Sequence, residues 1–505
     1  MLVSLLLLTI AASSTAFQFY IYDTGLWPNV STASLYKRDP NERLEHSLNR
    51  GAGPSTNVQG GEYHTDQYQL FSMIYYRALK DPRRTLDPSK ATSFIIPYDF
   101  GSDCAFYKNC AKSNGVCYDF RKCPLAPQVE SLLLESEWFK RNQGRDHVLI
   151  VGMNYAMDHY ILKPKCKSLI SGVCANCTKF AIDDYSYMYA TDAGVQSRGD
   201  YWHAIPFPAD FHWSREVARP FPWENTDRPI LSSYIGSTKS FYGPARRLRG
   251  SIVHYCELSP KLCVHSSYGL NGTRHSFKVE GHRPLQLSQQ SIFCFQPIGD
   301  LMTRKGLFDS ILQGCIPVTF DVLTASVMYT WHWEEAFWKD VIIEYNFHPV
   351  AHRYFDPVKA LEELVKNNAT DIARKQALIR NRVFQLQYSL DGLEEVYQYN
   401  SPLPYITSTE PVPAADGTVD KDAIVYTIKK GTEAVEKVSN SALTWPKDNH
   451  GVPMRDAYDI TVDYFLGWHS GTLKRERNAT VPECWDGWLD KVQNRCRPGK
   501  EPTAK

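Results

Sequence analysis

Between Ser291 and Phe320 the hydrophobic pattern changes period twice. Ser291 to Phe295 is an apolar run of strand length. Pro297, Gly299, Asp300 and Thr303 then punctuate a loop. Leu307, Phe308, Ile311 and Leu312 fall on one helical face. Gly314 stands where a helix ends, and Ile316 to Phe320 is apolar again. The pattern predicts strand, loop, helix, strand. Further strands are expected at Phe17 to Tyr22, Phe94 to Pro97, His147 to Val151 and Ile230 to Ile235. Helices are expected at Thr65 to Lys80, with Thr65 as cap, at Gln128 to Lys140, at Pro244 to Cys256, and over a long stretch from Asp371 to Tyr397. Asp356 and Pro357 read as the N-cap and first residue of another helix. Alternating strands and helices argue for mostly parallel sheets.

This alternation occurs in two blocks. Residues 17–222 read as one α/β domain with a cysteine-rich insert, and residues 223–400 as a second. Tyr201 to Trp223, rich in proline and aromatics, reads as the segment between them. Ser401 to Asp420 carries Pro402, Pro404, Pro411 and Pro413 and reads as a linker. The remainder to Lys505 reads as a small appendage that Cys484 and Cys496 could staple. Met1 to Ala16 reads as a secretory signal, with an apolar run from Leu2 to Ala12 and small residues before the cut. That run is shorter than the roughly 20 apolar residues needed to cross a bilayer.

Composition narrows the function classes. Formal net charge is +1 over 505 residues, which gives no footprint for nucleic acid or an anionic membrane. Thirteen cysteines and five sequons, at Asn29, Asn176, Asn271, Asn368 and Asn478, fit an oxidising secretory compartment. Cys104, Cys110, Cys117 and Cys123 cluster; Cys166, Cys174 and Cys177 form a second group, and Cys256 with Cys263 a third. Cys294 and Cys315 read as small buried core residues. Cys174-x-x-Cys177 lacks the second ligand pair that zinc needs.

Candidate chemistry gathers in the second block. Arg304 stands at a helix start, where backbone N–H groups favour an anion, and its guanidinium adds charge-assisted bonds. Gly299 allows close backbone approach. Asp300 is either the helix N-cap or a direct ligand. Lys239, just after Gly236, is a second cation. The one Asp-x-Asp spacing, Asp420-Lys421-Asp422, lies beside the proline-rich stretch and reads poorly as a metal site. Side-chain cations must then neutralise a leaving group. In the first block, Asp99 follows a strand, where the carboxyl end of a sheet opens on a cleft. Asp66 is either a general base or an acid that suits the first turn of a helix.

At these residues the chain resembles a known family. Phe293-Cys294, Gly299-Asp300, Thr303-Arg304, Phe308-Asp309-Ser310 and Gly314-Cys315-Ile316-Pro317-Val318 resemble the exostosin-type glycosyltransferases. Tyr329-Thr330-Trp331-His332 is similar to the plant-type branch that includes xyloglucan galactosyltransferases. A weaker resemblance runs from about Phe17 to Tyr397. It implies the GT-B fold, two Rossmann-like α/β domains facing a cleft. The second would bind a UDP-sugar, with galactose the first candidate, and the first a glycan or polysaccharide acceptor. Transfer would proceed with inversion, with no metal or other cofactor. The resemblance offers Asp309 for the ribose hydroxyls, with a structural hydrogen bond on its helix as the other reading. It offers Asp66, in Thr65-Asp66-Gln67-Tyr68, and His147, in Arg145-Asp146-His147, beside Asp99 as catalytic candidates. His212, after Ile205-Pro206-Phe207-Pro208, would line the cleft. The long helix would return to brace the first domain. Golgi residence is implied, with secretion as the alternative, and homo- or hetero-oligomers with other glycosyltransferases are admitted. Lys239 and Gly306 stand where the family more often has Arg and Ser. They keep open a non-catalytic glycan-binding or partner subunit that retains the fold.

Overall fold

The computed structural model describes residues 17–22, 48–81, 83–105, 123, 125–153, 164–183, 201–238, 243–266, 284–299, 302–391 and 455–471, and the backbone of 404–413, 419–430 and 433–439. Two parallel sheets organise it. The first holds β1 (Phe19–Ile21), β2 (Arg84–Thr85), β3 (Ser93–Ile95), β4 (His147–Val151), β5 (Thr178–Ala181) and β6 (Trp202–Ala204), in the order β2-β1-β3-β4-β5-β6. Every pairing in it is parallel. The second holds β7 (Ile230–Ile235), β8 (Cys263–Ser266), β9 (Ser291–Gln296), β10 (Ile316–Thr319) and β11 (Ile343–Glu344), in the order β8-β7-β9-β10-β11, again all parallel. Strands β3, β4 and β10 are buried along their whole length, which is why they read as apolar runs. The two Rossmann-like units make this a GT-B fold.

In each sheet the chain leaves the first strand to one side and returns on the other. Topological switch points therefore lie between β1 and β3 and between β7 and β9, where open α/β sheets bind ligands at their carboxyl ends. The two carboxyl edges meet. Tyr329, beyond β10, donates its hydroxyl to the Ile182 carbonyl just after β5 at 2.8 Å. One contiguous core runs from Phe19 and Ile74 through Phe207 and Trp213 to Phe308 and Trp338.

Several expected elements change form. Helix α1 (Leu70–Lys80) is preceded by a 3₁₀ turn, Gln67–Gln69, and Asp66 rather than Thr65 caps that turn. The helix expected at Gln128 to Lys140 breaks at Ser136 into two shorter ones. The long helix ends early: α4 (Ala369–Arg382) gives way to a 3₁₀ turn. Here α2 (Gly243–Leu258) and α3 (Lys305–Ile311) are the intervening helices of the second unit that bear on the site. The end of the stretch expected as one long helix still returns to the first unit, where Trp213 N donates to Gln387 Oε1 at 2.9 Å and the Tyr388 hydroxyl donates to the Pro206 carbonyl at 2.8 Å. A second brace comes from α5 (Ala457–His469), within the stretch read as an appendage. Its Phe465 packs edge-on against Phe19 at 5.9 Å. Its His469 bridges Ser93 of β3 and Thr178 of β5 at 2.8 and 2.9 Å. Arg77 of α1 pairs with Asp456 at 2.7 Å and Asp459 at 3.2 Å.

The proline-rich stretch read as a linker contains a strand, Pro404–Pro413, at the edge of a three-stranded antiparallel sheet with Val419–Lys430 and Glu433–Ser439. Edge positions tolerate proline because half their N–H groups need no partner. Cys294 and Cys315 are a disulfide across β9 and the start of β10, not separate thiols, since β9 and β10 are neighbours in register. Cys123–Cys166 and Cys256–Cys263 are also bonded. Among the described residues no helix is long and apolar enough to cross a membrane. The expected signal, residues 1–16, lies outside the described residues, as do Cys484 and Cys496.

Candidate active site

The carboxyl edge of the second sheet is cationic. β7 is followed by Gly236, whose φ of 150° disfavours a side chain. A Cβ there would lie 3.2 Å from an Arg304 guanidinium nitrogen. Arg304 donates to the Pro297 carbonyl at 2.5 Å. Arg249, on α2, donates to the carbonyls of Ile298 at 2.9 Å and Ser237 at 3.0 Å. It is buried in the site. Both guanidiniums thus clamp the loops after β7 and β9 on the two sides of the switch point. Burial, with Arg249 beside it, pushes the Arg304 pKa down to about 10, so it remains charged at neutral pH. Among the described residues Arg304 makes no ion pair. Gly299 and Thr303 are buried in the same loop. Asp300 and Lys239 lie outside the described residues. Helix α3 has only seven residues. Its dipole is too small to hold the site alone, so the guanidiniums carry the charge.

The carboxyl edge of the first sheet is acidic. Asp99 follows β3 and is fully buried. Its Oδ1 accepts from Ser102 N at 3.0 Å, while Oδ2 has no partner. Burial pushes its carboxyl up to about 7, and the charges of Asp103 and Asp66 add to the shift. Glycines pack this corner: a Cβ on Gly101 would lie 2.5 Å from the Gly152 carbonyl, and one on Gly152 would lie 2.8 Å from that of Gln67. That close approach brings the turn capped by Asp66 beside Asp99. Asp66 itself accepts from Tyr68 N at 2.8 Å, and Gln69 answers to its backbone.

Three of the candidate residues are engaged within the protein. His147 is fully buried, with Nε2 on the Tyr22 hydroxyl at 2.7 Å and Nδ1 on Asp146 at 2.8 Å. Its ring stacks on Phe94. It is a structural residue beneath the sheet, with no nitrogen left for a substrate. His212 does not line a cleft. It is wholly buried, bridging the Thr65 hydroxyl at 3.0 Å and the Tyr388 carbonyl at 2.8 Å. Burial pushes its pKa down to about 4, so it is neutral. Asp309 is engaged at both oxygens, each 2.8 Å from Lys305 Nζ, and Asp210 N donates to one of them. Lys305 also meets Asp210 Oδ1 at 2.7 Å, and Asp210 accepts from Thr65 N. This chain ties the first unit to the second. Burial pushes Asp309 up to about 6. Burial disfavours the Lys305 charge, but the two carboxylates outweigh it and raise its pKa.

The sequence reading missed Asp183. It is fully buried just after β5 and bears electrostatically on Tyr329. An acid two residues beyond a buried strand was the same signal that marked Asp99. Trp331 is a packing residue: it lies between His203, at 4.1 Å, and Tyr464, at 4.8 Å, so both faces are covered.

Residues 13–340 match the family described as the Exostosin GT47 domain. Three relatives from Arabidopsis thaliana are similar over part of the chain. Xyloglucan-specific galacturonosyltransferase 1 is 30% identical over 282 residues, 54% of this chain and 39% of that protein. Probable xyloglucan galactosyltransferase GT20 is 30% identical over 321 residues, 61% of this chain and 50% of that protein. Xyloglucan galactosyltransferase MUR3 is 28% identical over 309 residues, 57% of this chain and 45% of that protein. The chain spans half or less of the length of these three.

Proposed function

The chain belongs to the Exostosin GT47 family, and from that premise we propose that it moves a sugar from a UDP-sugar to a glycan or polysaccharide acceptor in the secretory pathway. The observation that carries this reading is the paired Arg249 and Arg304 at the switch point of the second sheet. Two adjacent like charges held by carbonyls suit a diphosphate, whose oxygens take bidentate guanidinium bonds. The first candidate sugar is galactose, from the names of two of the relatives.

The acceptor hydroxyl oxygen attacks the anomeric carbon from the face opposite the diphosphate. The bond to the UDP oxygen breaks, UDP leaves with the electron pair, and the configuration inverts. Asp99 takes the hydroxyl proton. A pKa near 7 is matched to that task, and its Oδ2 has no partner within the protein. Arg304 and Arg249 neutralise the charge that develops on UDP. This scheme uses side-chain cations and needs no metal. Lys305 does not serve, because Asp210 and Asp309 hold it.

The test is a screen of the purified chain against a panel of UDP-sugars with soluble glycan acceptors, read by UDP release. Acceptor-dependent release with one sugar supports the proposal. Glycan binding without UDP binding would support the non-catalytic alternative instead.

A further inference from the structure

Two buried thiols meet at the amino end of β5. A π-helical turn, Ser168–Val173, is capped by Cys174. The chain then turns through Ala175 and Asn176, and Cys177 N donates back to the Cys174 carbonyl at 3.1 Å. A four-residue turn closed in this way keeps its end Cα atoms within about 7 Å, and a disulfide spans about 4.4–6.8 Å. Both side chains are fully buried thiols, and they hydrogen-bond to each other. Lys179 holds the turn from inside. It is itself buried, and its Nζ donates to the carbonyls of Ala175 at 3.0 Å and Cys177 at 2.9 Å. Gly144 packs so closely that a Cβ on it would lie 3.1 Å from Cys177 Sγ. A metal is the other common reason to bring two thiols together. Among the described residues no third His, Cys, Asp or Glu side chain joins this pair as a ligand. Three other cysteine pairs of the chain are bonded, as in an oxidising compartment.

We propose that Cys174 and Cys177 are an oxidation site, closed to a disulfide as the chain folds, by exchange with an incoming disulfide of the secretory compartment. The thiolate of one cysteine attacks a sulfur of the incoming disulfide, whose S–S bond breaks, and a mixed disulfide forms. The second cysteine then attacks the first, and the other half of the incoming disulfide leaves as a thiol. One S–S bond is made within the turn. The incoming disulfide takes up the two electrons and the two protons. Burial and the hydrogen bond from Cys177 raise the Cys174 thiol well above its ordinary range, against the nearby charge of Lys179. A packed thiol of that kind exchanges slowly, so the bond is made before the turn is sealed and is shielded from reductants afterwards. The bond would anchor β5 at its start. Thr178, the first residue of β5, meets His469 of α5, and Ile182, just past its end, accepts from Tyr329. The cross-link therefore steadies a strand that holds both α5 and the second unit.

Mass mapping of the full chain, produced through a secretory host, tests this. The protein is denatured and alkylated without reductant, deglycosylated because Asn176 lies between the two cysteines, and digested with trypsin. Cleavage after Lys167 and Lys179 isolates Cys174 and Cys177 on one peptide that holds no other cysteine. That peptide should carry no alkyl group and be lighter than the dithiol form by two hydrogens. After reduction it should take an alkyl group on each sulfur. In C174S, Cys177 should be alkylated without reduction. The proposal is overturned if both sulfurs of the wild-type peptide are alkylated before reduction, or if either is linked to another peptide. It is equally overturned if Cys177 of C174S is bonded to another cysteine of the chain.

Discussion

The two sheets share one topology and carry opposite charge where it matters. Each has a switch point beside its first strand. At the first, Asp99 sits buried with an open oxygen. At the second, two guanidiniums clamp the loops on both sides. Topology chooses the place, as it does for open α/β sheets generally. A few side chains choose the sign, and the sign divides the work between taking a proton and holding a leaving group.

That division can be broken from either side. The largest effect is expected from Asp99→Asn, which should lower kcat by about 10²–10⁴, the usual worth of a general base, while UDP affinity holds. The wild-type pH profile should carry the same signature. Asp99 works as a base only when ionised, so kcat/KM should fall about tenfold per unit as pH drops below about 7. The stability sign runs the other way. Its carboxyl is raised from 3.8 to about 7, so the folded state holds the proton more tightly. Stability should therefore decline as pH rises from about 4 to about 7, and D99N should flatten that decline in thermal melts.

Next in size is Arg304→Ala, with about a 10²–10³ loss in kcat/KM, and here UDP affinity falls too. Arg77→Met bears on the support of the acidic edge rather than its chemistry. It leaves Asp456 buried without its cation and should cost about 3–5 kcal/mol of stability in denaturant melts. The smallest effect is expected at Asp66. As a cap, D66A should cost about 1 kcal/mol, and D66N almost nothing. A turnover loss in D66N as large as that in D99N would move the base to Asp66.

Local signals in the sequence were readable. The period change from Ser291 to Phe320 gave the strand, helix and strand found there, and Asp356 caps its helix as read. Long-range partners were not readable. His147 is fixed by Tyr22 and His212 by Tyr388, far away in sequence, so their burial left no local trace. Arg249 gains its place only because the fold brings the Ser237 and Ile298 carbonyls to it. Helix α5 was overlooked because a mixed, polar stretch surrounds it. Its anchors, Phe19 and Arg77, belong to the other end of the chain.

The account turns on whether the two edges act separately, and calorimetry with UDP on wild type, R304A and D99N asks this most directly. Wild type and D99N should bind UDP alike, and R304A should lose most of that affinity. Loss of UDP binding in D99N to the same extent as in R304A, or R304A binding UDP as wild type does, would contradict the assignment of the donor to the second sheet and the base to the first.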